Sequence, residues 1–275
     1  MFYGSLTGFG SGGSALPNFF NDIENAGLTS GLQQCLDAGA ASSYDGTAQK
    51  WLDLTGNGYD YFLGVDGSSS SDDPSFNGSA GGLSSSEYFS FDGGDEMRYD
   101  TSNEAWMSNY HQADGEGTII FWLYAVAAAG SQTCWATGQG GSHEGFYLTL
   151  DANEKMYIQC VNGSIADQDL QNADDAVNTN AWNFLAWSFD ESATTAFFYQ
   201  NGAINQVSSA DTFTWSFASP GTGAGQVARI GISTHGQNRF VSGTRLGGMM
   251  FWEGVNLTEA NLDTLWAAQR GRYGL

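Results

Sequence analysis

Hydrophobic and polar positions alternate most clearly between residues 182 and 202, which read WNFLAWSFDESATTAFFYQNG. From 182 to 189, odd positions fall on one face of an extended strand and even positions on the other, and both sets are largely apolar. A polar turn at 190–192 separates this run from a second apolar run at 195–199. Asn201-Gly202 supplies a pair suited to a tight reversal. The pattern predicts the centre of an antiparallel sheet that is buried on both faces.

Further strands are predicted by the same period along the rest of the chain. They cover residues 32–36, 87–99, 118–126, a hairpin at 145–161, 227–232 and 244–252. A Ser/Gly/Asp-rich stretch at 64–86 is typical of a long surface loop. Two helices are expected: a short one that begins at Pro17 and ends near Gly27, and one over 257–270 with Thr258 as its N-cap. Many short strands with one terminal helix predict an all-β, antiparallel jelly-roll β-sandwich.

Residues 1–34 have a different pattern from the sequence that follows. Large apolar residues at 2, 3, 6 and 9 stand among glycines and serines without a helical or strand period. Two interpretations remain open: the segment packs back on its own domain, or it docks on another subunit. We therefore divide the chain into an N-terminal arm and short helix at 1–34, expected to dock, and a jelly-roll domain at 35–275.

Composition restricts the class of partner. With 8 Lys+Arg against 30 Asp+Glu, the net charge is −22, which argues against binding to nucleic acid or to an anionic membrane surface. No apolar run is long enough to span a membrane, and the first residues do not resemble a signal peptide. The three cysteines show neither metal spacing nor a disulfide framework.

Four segments in order resemble the laminin-G-like, concanavalin A-like jelly roll. They are LDAGAASSYDGTAQKWLDLTGNGYD (36–60), YFSFDGGDE (88–96), the 182–202 stretch, and RIGIS to LTEANLDTLW (229–266). Together they cover about residues 32–275. The Gly-rich start, the GGLSSSEYFSFDGGD segment and the terminal RGRYGL (270–275) are most similar to domains of tailed-bacteriophage virion proteins.

The resemblance implies a virion structural protein, either a capsid decoration or a tail or fibre component. Residues 1–34 would contact other virion proteins, the domain would be displayed at the virion surface, and a homo-oligomer would gain strength from avidity. Sugar binding is common in the wider superfamily, so host-surface glycans are candidate ligands. The alternatives are a free bacterial carbohydrate-binding lectin and a glycoside hydrolase.

Acidic residues in two Gly-rich turns form the candidate metal site. Asp53, Asn57 and Asp60 make one group, and Asp92 and Asp95 make the other. Carboxylate and amide oxygens are the ligands that Ca²⁺ prefers, and related jelly rolls often hold Ca²⁺ near such loops. The alternative is that these side chains simply cap turns. Where relatives place an aspartate in the last core strand, this chain has LGGMMFW at 246–252.

Two loops carry residue types suited to sugar binding, which combines an aromatic platform with polar hydrogen-bonding groups. The candidates are Trp135, His143, Glu144, His235, Asn238 and Arg239. The alternative is that Trp135 belongs to the core, because aromatic residues this numerous mostly pack inside.

Catalytic motifs are not apparent in the sequence. It lacks the Glu-x-Asp-x-Glu pattern of glycosidases with this fold, a Gly-x-Ser-x-Gly elbow and a phosphate-binding loop. The sequence therefore predicts a non-enzymatic binding protein.

Overall fold

The computed structural model describes residues 17–138, 145–162, 165–172, 176–205 and 227–275. The first strands in chain order are β1 (Leu32–Asp37), β2 (Lys50–Trp51), β3 (Tyr61–Leu63), β4 (Ser75–Asn77), β5 (Tyr88–Ser90), β6 (Met97–Tyr99), β7 (Glu116–Ala125) and β8 (Gln132–Ala136). They are followed by β9 (Gly145–Leu150), β10 (Met156–Asn162), β11 (Ile165–Gln171), β12 (Ala181–Asp190), β13 (Thr195–Gln200), β14 (Ala203–Asn205), β15 (Arg229–Ile230) and β16 (Arg245–Glu253). The helices are α1 (Phe19–Asn25) and α2 (Glu259–Gln269), with 3-10 turns at Ala105–Tyr110 and Arg270–Tyr273.

The strands form two antiparallel sheets, which confirms the predicted β-sandwich. Sheet A has the order β14-β13-β12-β7-β16-β5-β4, with β1 also paired to β16. Sheet B has the order β11-β10-β9-β8-β15-β6-β3-β2. Large apolar and aromatic side chains fill the space between the sheets.

The predicted interior strand that is buried on both faces is confirmed at β12, although the middle strand of sheet A is its neighbour β7. This strand lies between β7 and β13, with Leu185 opposite Phe121 on one side and opposite Gln200 on the other. Asn201 and Gly202 both have positive φ, 50° and 95°, as a tight turn between β13 and β14 requires. Inner-face Trp187 and outer-face Phe184 are both fully buried, because each face of sheet A is covered.

The helices α1 and α2 cover the outer face of sheet A. Leu262 and Leu265 of α2 and Ile23 of α1 join Ile120 and Trp122 of β7 in a second apolar cluster. Trp122 donates a hydrogen bond from Nε1 to Gln269 Oε1 at 2.7 Å. At the start of α2, Thr258 and Asn261 form a reciprocal capping box, so the predicted N-cap is confirmed.

A buried ion pair joins both ends of the described chain to this face. Arg272 Nη2 lies 2.7 Å from Asp37 Oδ1, and Phe19 N donates to Asp37 Oδ2 at 3.1 Å. Residues 18–34 therefore pack on their own domain, and the division placed after residue 34 falls inside β1. Residues 1–16 lie outside the described residues, so docking by the arm stays a prediction.

Several elements were missed by the sequence pattern: β2, β3, β4, β8 and β11 lie outside the predicted strands, and the strand predicted over 87–99 is divided into β5 and β6, which belong to different sheets. The stretch 64–86, expected to be a loop, contains β4, which pairs with β5. A single aromatic residue explains it: Phe76 packs against Tyr44 and Phe89, with ring centroids 4.8 and 5.6 Å away. One apolar side chain among serines and asparagines gives no alternation for the sequence to reveal.

Among the helices of the described part, none has the length and apolar character needed to cross a lipid bilayer.

Candidate functional site

The first predicted metal group braces a turn against β1. Asp53 Oδ1 accepts a hydrogen bond from Cys35 N at 2.9 Å, and Asp60 Oδ1 accepts one from Asp53 N at 2.9 Å. Asn57 Nδ2 donates to Gln33 O at 2.8 Å. These side chains point at backbone groups and hold the 51–60 segment along the edge of β1.

The second group forms a self-contained turn. Asp92 N donates to Asp95 Oδ2 at 2.7 Å, and Gly94 N donates to Asp92 Oδ1 at 2.7 Å. Burial raises the pKa of Asp95 to about 6, the hydrogen bond from Asp92 N opposes the rise, and the charge of Asp92 adds to it.

Neither group fits a calcium site as it stands. Each carboxylate is engaged by backbone N–H groups, which is how Asx side chains stabilise turns. In the part of the chain that the structure describes, no three His, Cys, Asp or Glu side chains converge to hold a metal ion. The geometry agrees with the turn-capping alternative, and bound calcium stays a prediction.

Trp135 is not an exposed sugar platform. It lies in β8 with 0% of its surface exposed, and its Nε1 donates to the Tyr61 hydroxyl at 2.7 Å. Its ring packs between the sheets against Phe251, with centroids 4.8 Å apart. The core alternative is the correct one for this residue. The other candidates of that loop, His143 and Glu144, lie outside the described residues.

The remaining sugar candidates lie beside the second acidic turn. His235 is exposed, and Asn238 adopts a left-handed φ of 53° while its carbonyl accepts from Thr133 N at 2.7 Å. Arg239 Nη1 donates to Gly94 O. We name residues 92–95 and 233–240 the paired loops. The fold places the second acidic group, Asp92 and Asp95, beside the sugar candidates His235, Asn238 and Arg239. The Arg239 side chain is already bound to one of these loops, because it donates to Gly94 O.

A third surface was not predicted: a straight line of outward-facing residues on sheet B. Every residue in the line pairs directly with the following one on the neighbouring strand. We name this line the sheet B row, and its members are Lys50, Phe62, Arg98, Arg229, Ala136 and Tyr147. In β3 and β6 the flanking residues are buried and the central ones, Phe62 and Arg98, are partly exposed. Alternation therefore directs both to the outer face.

Ion pairs engage two of the three cations in the row. Lys50 Nζ lies 2.7 Å from Asp100 Oδ2 and 5.0 Å from the centroid of the Phe62 ring. Arg229 Nη1 lies 2.9 Å from Glu96 Oε2. Arg98 stands between them and makes no ion pair with any residue that the structure describes. A guanidinium group is thus available in the middle of the row.

An aromatic pair extends the row at its far end. The rings of Tyr147 and Tyr157 lie 6.2 Å apart in a T-shaped arrangement, and Gln159 Nε2 donates to the Tyr157 hydroxyl at 3.2 Å. Gln159 is the cross-strand partner of Tyr147 on β10. Tyr147 is only 8% exposed and Ala136 is fully buried, so this end of the row is covered and the exposed part runs from Lys50 to Arg229.

Sequence reasoning missed the row for an identifiable reason. Four of its residues come from strands of only two or three residues, β2, β3, β6 and β15. Such strands carry almost no periodicity, and their register depends on pairing between distant segments. The available signal was local: the single polar residue between Met97 and Tyr99.

Comparison with known proteins gives one family match. The model of the Concanavalin A-like lectin/glucanases superfamily matches residues 93–260. No curated protein sequence matches this chain significantly.

Similar solved structures include one binding domain in two complexes and a sialidase. The binding domain of botulinum neurotoxin DC in complex with SialylT has a TM-score of 0.58 at 12% identity, covering 87% of this chain and 52% of that one. The same domain in complex with rat synaptotagmin II gives 0.59 at 13% identity, with the same coverage. Trypanosoma rangeli sialidase gives 0.55 at 13% identity, covering 88% of this chain and 33% of that one. The chain thus spans about half or a third of these structures, and identities this low establish the fold alone.

Proposed function

This chain belongs to the Concanavalin A-like lectin/glucanases superfamily, and we propose that it binds carbohydrate without catalysing a reaction on it. The observation that carries the proposal is the sheet B row. It combines the partly exposed ring of Phe62 with hydrogen-bond donors at Lys50, Arg98 and Arg229 on one side of a rigid sheet. A site on strands holds its side chains in fixed positions, so little ordering energy is lost on binding.

Two structural relatives are consistent with this proposal. One solved structure of the botulinum neurotoxin DC binding domain is a complex with SialylT, and the other relative is a sialidase. We carry over from them only the idea that a sandwich of this shape presents a surface for glycans.

The arrangement of carboxylates supports binding over hydrolysis. Most glycosidases need two carboxyl groups about 5–9.5 Å apart, one as acid and one as base or nucleophile. Glu96 and Asp100 stand at opposite ends of β6, on either side of Arg98. Each forms an ion pair, with Arg229 and Lys50 respectively, so both carboxylates are already held by cations of the row. The two carboxylates beside the sheet B row are therefore not arranged as a catalytic pair.

We further propose that the domain is displayed on a tailed-bacteriophage virion. The support is the sequence resemblance at 270–275 and around residues 81–95, together with apolar residues 2, 3, 6 and 9 in a Gly/Ser-rich arm. Because residues 18–34 are built into the domain, contact with other virion proteins falls to residues 1–16. A free lectin is the competing role.

A glycan array with the purified protein tests carbohydrate binding. We expect a restricted set of glycans to bind, and binding to none of them would contradict the proposal. Peptide mass spectrometry of sedimented, salt-washed particles from the source culture tests the virion role. Peptides in the particle fraction support it, and peptides found only in the supernatant favour the free lectin.

A further inference from the structure

Arg98 differs from Lys50 and Arg229 because the acidic residues beside it, Glu96 and Asp100, form ion pairs with those two cations. Glu96 immediately precedes β6 and Asp100 immediately follows it, two residues from Arg98 on either side. Glu96 pairs across to Arg229 and Asp100 to Lys50, at 2.9 and 2.7 Å. These pairs fix the outer two cations in place and leave the guanidinium of Arg98 as the charge that a ligand can take.

We infer that Arg98 binds the carboxylate of an acidic sugar in a glycan chain that lies along the sheet B row. The inference rests on the proposed carbohydrate binding and specifies the ligand class for that same surface. Arg presents donors in a planar fork that matches the two oxygens of a carboxylate, which gives a charge-assisted, bidentate contact.

The length of the row favours a chain of sugars over a single one. From Lys50 to Arg229, the part of the row that keeps some exposure, there are three steps between neighbouring strands. At about 4.8 Å for each step, this part is about 14 Å long. Phe62 lies directly beside Arg98, so a partly exposed ring stands next to the charge.

The overall charge does not prevent this contact. The net charge of −22 opposes an anionic ligand at a distance. At physiological ionic strength, however, charges separated by more than about 8 Å are largely screened in solution. The groups close to the ligand then decide the interaction. On the row, Lys50 and Arg229 neutralise Asp100 and Glu96, which leaves the charge of Arg98 without an ion pair among the described residues.

Isothermal titration with matched saccharides tests the inference. The probes are trigalacturonic acid and its methyl ester, which differ in charge, and 3′-sialyllactose and lactose, which differ by the acidic sugar. We expect the acidic member of at least one pair to bind about tenfold to a hundredfold more tightly than its neutral partner. The pair that shows the difference identifies the acid as a hexuronic or a nonulosonic acid.

Arg98→Gln should remove that preference, and Arg98→Lys should restore only part of it. Arg270→Gln is the matched control, because it removes the same charge from an exposed position on the α2 side of the molecule. Thermal melts should show that all three variants fold.

The outcomes separate the two proposals. Equal binding of acidic and neutral partners, or an unchanged preference in Arg98→Gln, overturns the inference while carbohydrate binding stands. If no probe binds and the glycan array is also empty, carbohydrate binding itself is wrong. If no probe binds but the array finds only neutral glycans, the inference alone falls.

Discussion

The outer faces of the two sheets differ in how far their side chains are exposed to solvent. On sheet A, Trp122, Phe184 and Trp252 face outward but are buried under α1, α2 and the C-terminal turn. On sheet B, the row residues Lys50, Phe62, Arg98 and Arg229 keep part of their surface in water. The difference shows that hydrophobic pattern alone does not identify a binding face. On sheet A an outward-facing residue packs under the helices, whereas on sheet B an outward-facing residue can contact a ligand.

The largest effect should come from breaking the ion pair that fixes the cover of sheet A. Arg272→Ala leaves the Asp37 carboxylate buried without its partner. We expect the free energy of unfolding to fall by about 3–5 kcal/mol. Urea denaturation measures it, with the exposed Arg270→Ala expected to change stability by less than about 0.5 kcal/mol. Similar losses in both variants would show that the buried pair does not fix this face.

A cavity under α2 should have the next largest effect. Leu265 is fully buried against the outer face of sheet A, so Leu265→Ala is expected to cost about 2–5 kcal/mol of unfolding free energy. Leu52 is 40% exposed, and Leu52→Ala serves as the control that removes the same atoms from the surface. If Leu265→Ala unfolds like the wild type, α2 does not contribute to the core as described.

Asp22 of α1 should give the covered face a pH dependence. Burial raises the pKa of this carboxyl to about 6, the charge of Asp37 adds to the rise, and Arg272 opposes it. The folded protein then holds the proton more tightly than the unfolded chain, whose pKa is about 3.9. Stability contributed by protonated Asp22 is therefore present at low pH and lost as pH rises from about 4 to 7.

Asp22→Asn should remove this pH-dependent loss. The free energy of unfolding of the variant, relative to that of the wild type, should therefore rise by about 1–2 kcal/mol between pH 4 and pH 7. Chemical denaturation at several pH values measures the difference. Glu24→Gln, on the exposed side of the same helix, is the control. A difference that stays constant with pH would contradict the assignment.

The smallest stability effect is expected on the sheet B row. Phe62→Ala removes the ring near Lys50 and should cost only about 0.5–1 kcal/mol, but it should weaken glycan binding severalfold. Phe62→Tyr keeps a ring face and should keep the affinity. If Phe62→Ala binds as well as the wild type, the ring is not part of the glycan surface.

The sequence predicted those parts of the fold that follow from local pattern. Strands β7 and β12 are long and apolar, and Thr258 caps α2, so all three were foreseen. The site was not foreseen in the same way. Trp135 has the composition of a sugar platform but lies in the core, and Arg98 looks unremarkable until pairing of β6 with β15 and β3 places it between Arg229 and Phe62. Register between distant segments is a property of the folded sheet.

Hydrogen–deuterium exchange with the tightest glycan from the array tests the central claim most directly, because it locates the bound face. We predict slower exchange in β3, β6 and β15 on binding, and unchanged exchange in α1 and α2. Protection confined to the paired loops, or to the helices over sheet A, would contradict the assignment of the sheet B row as the glycan-binding surface.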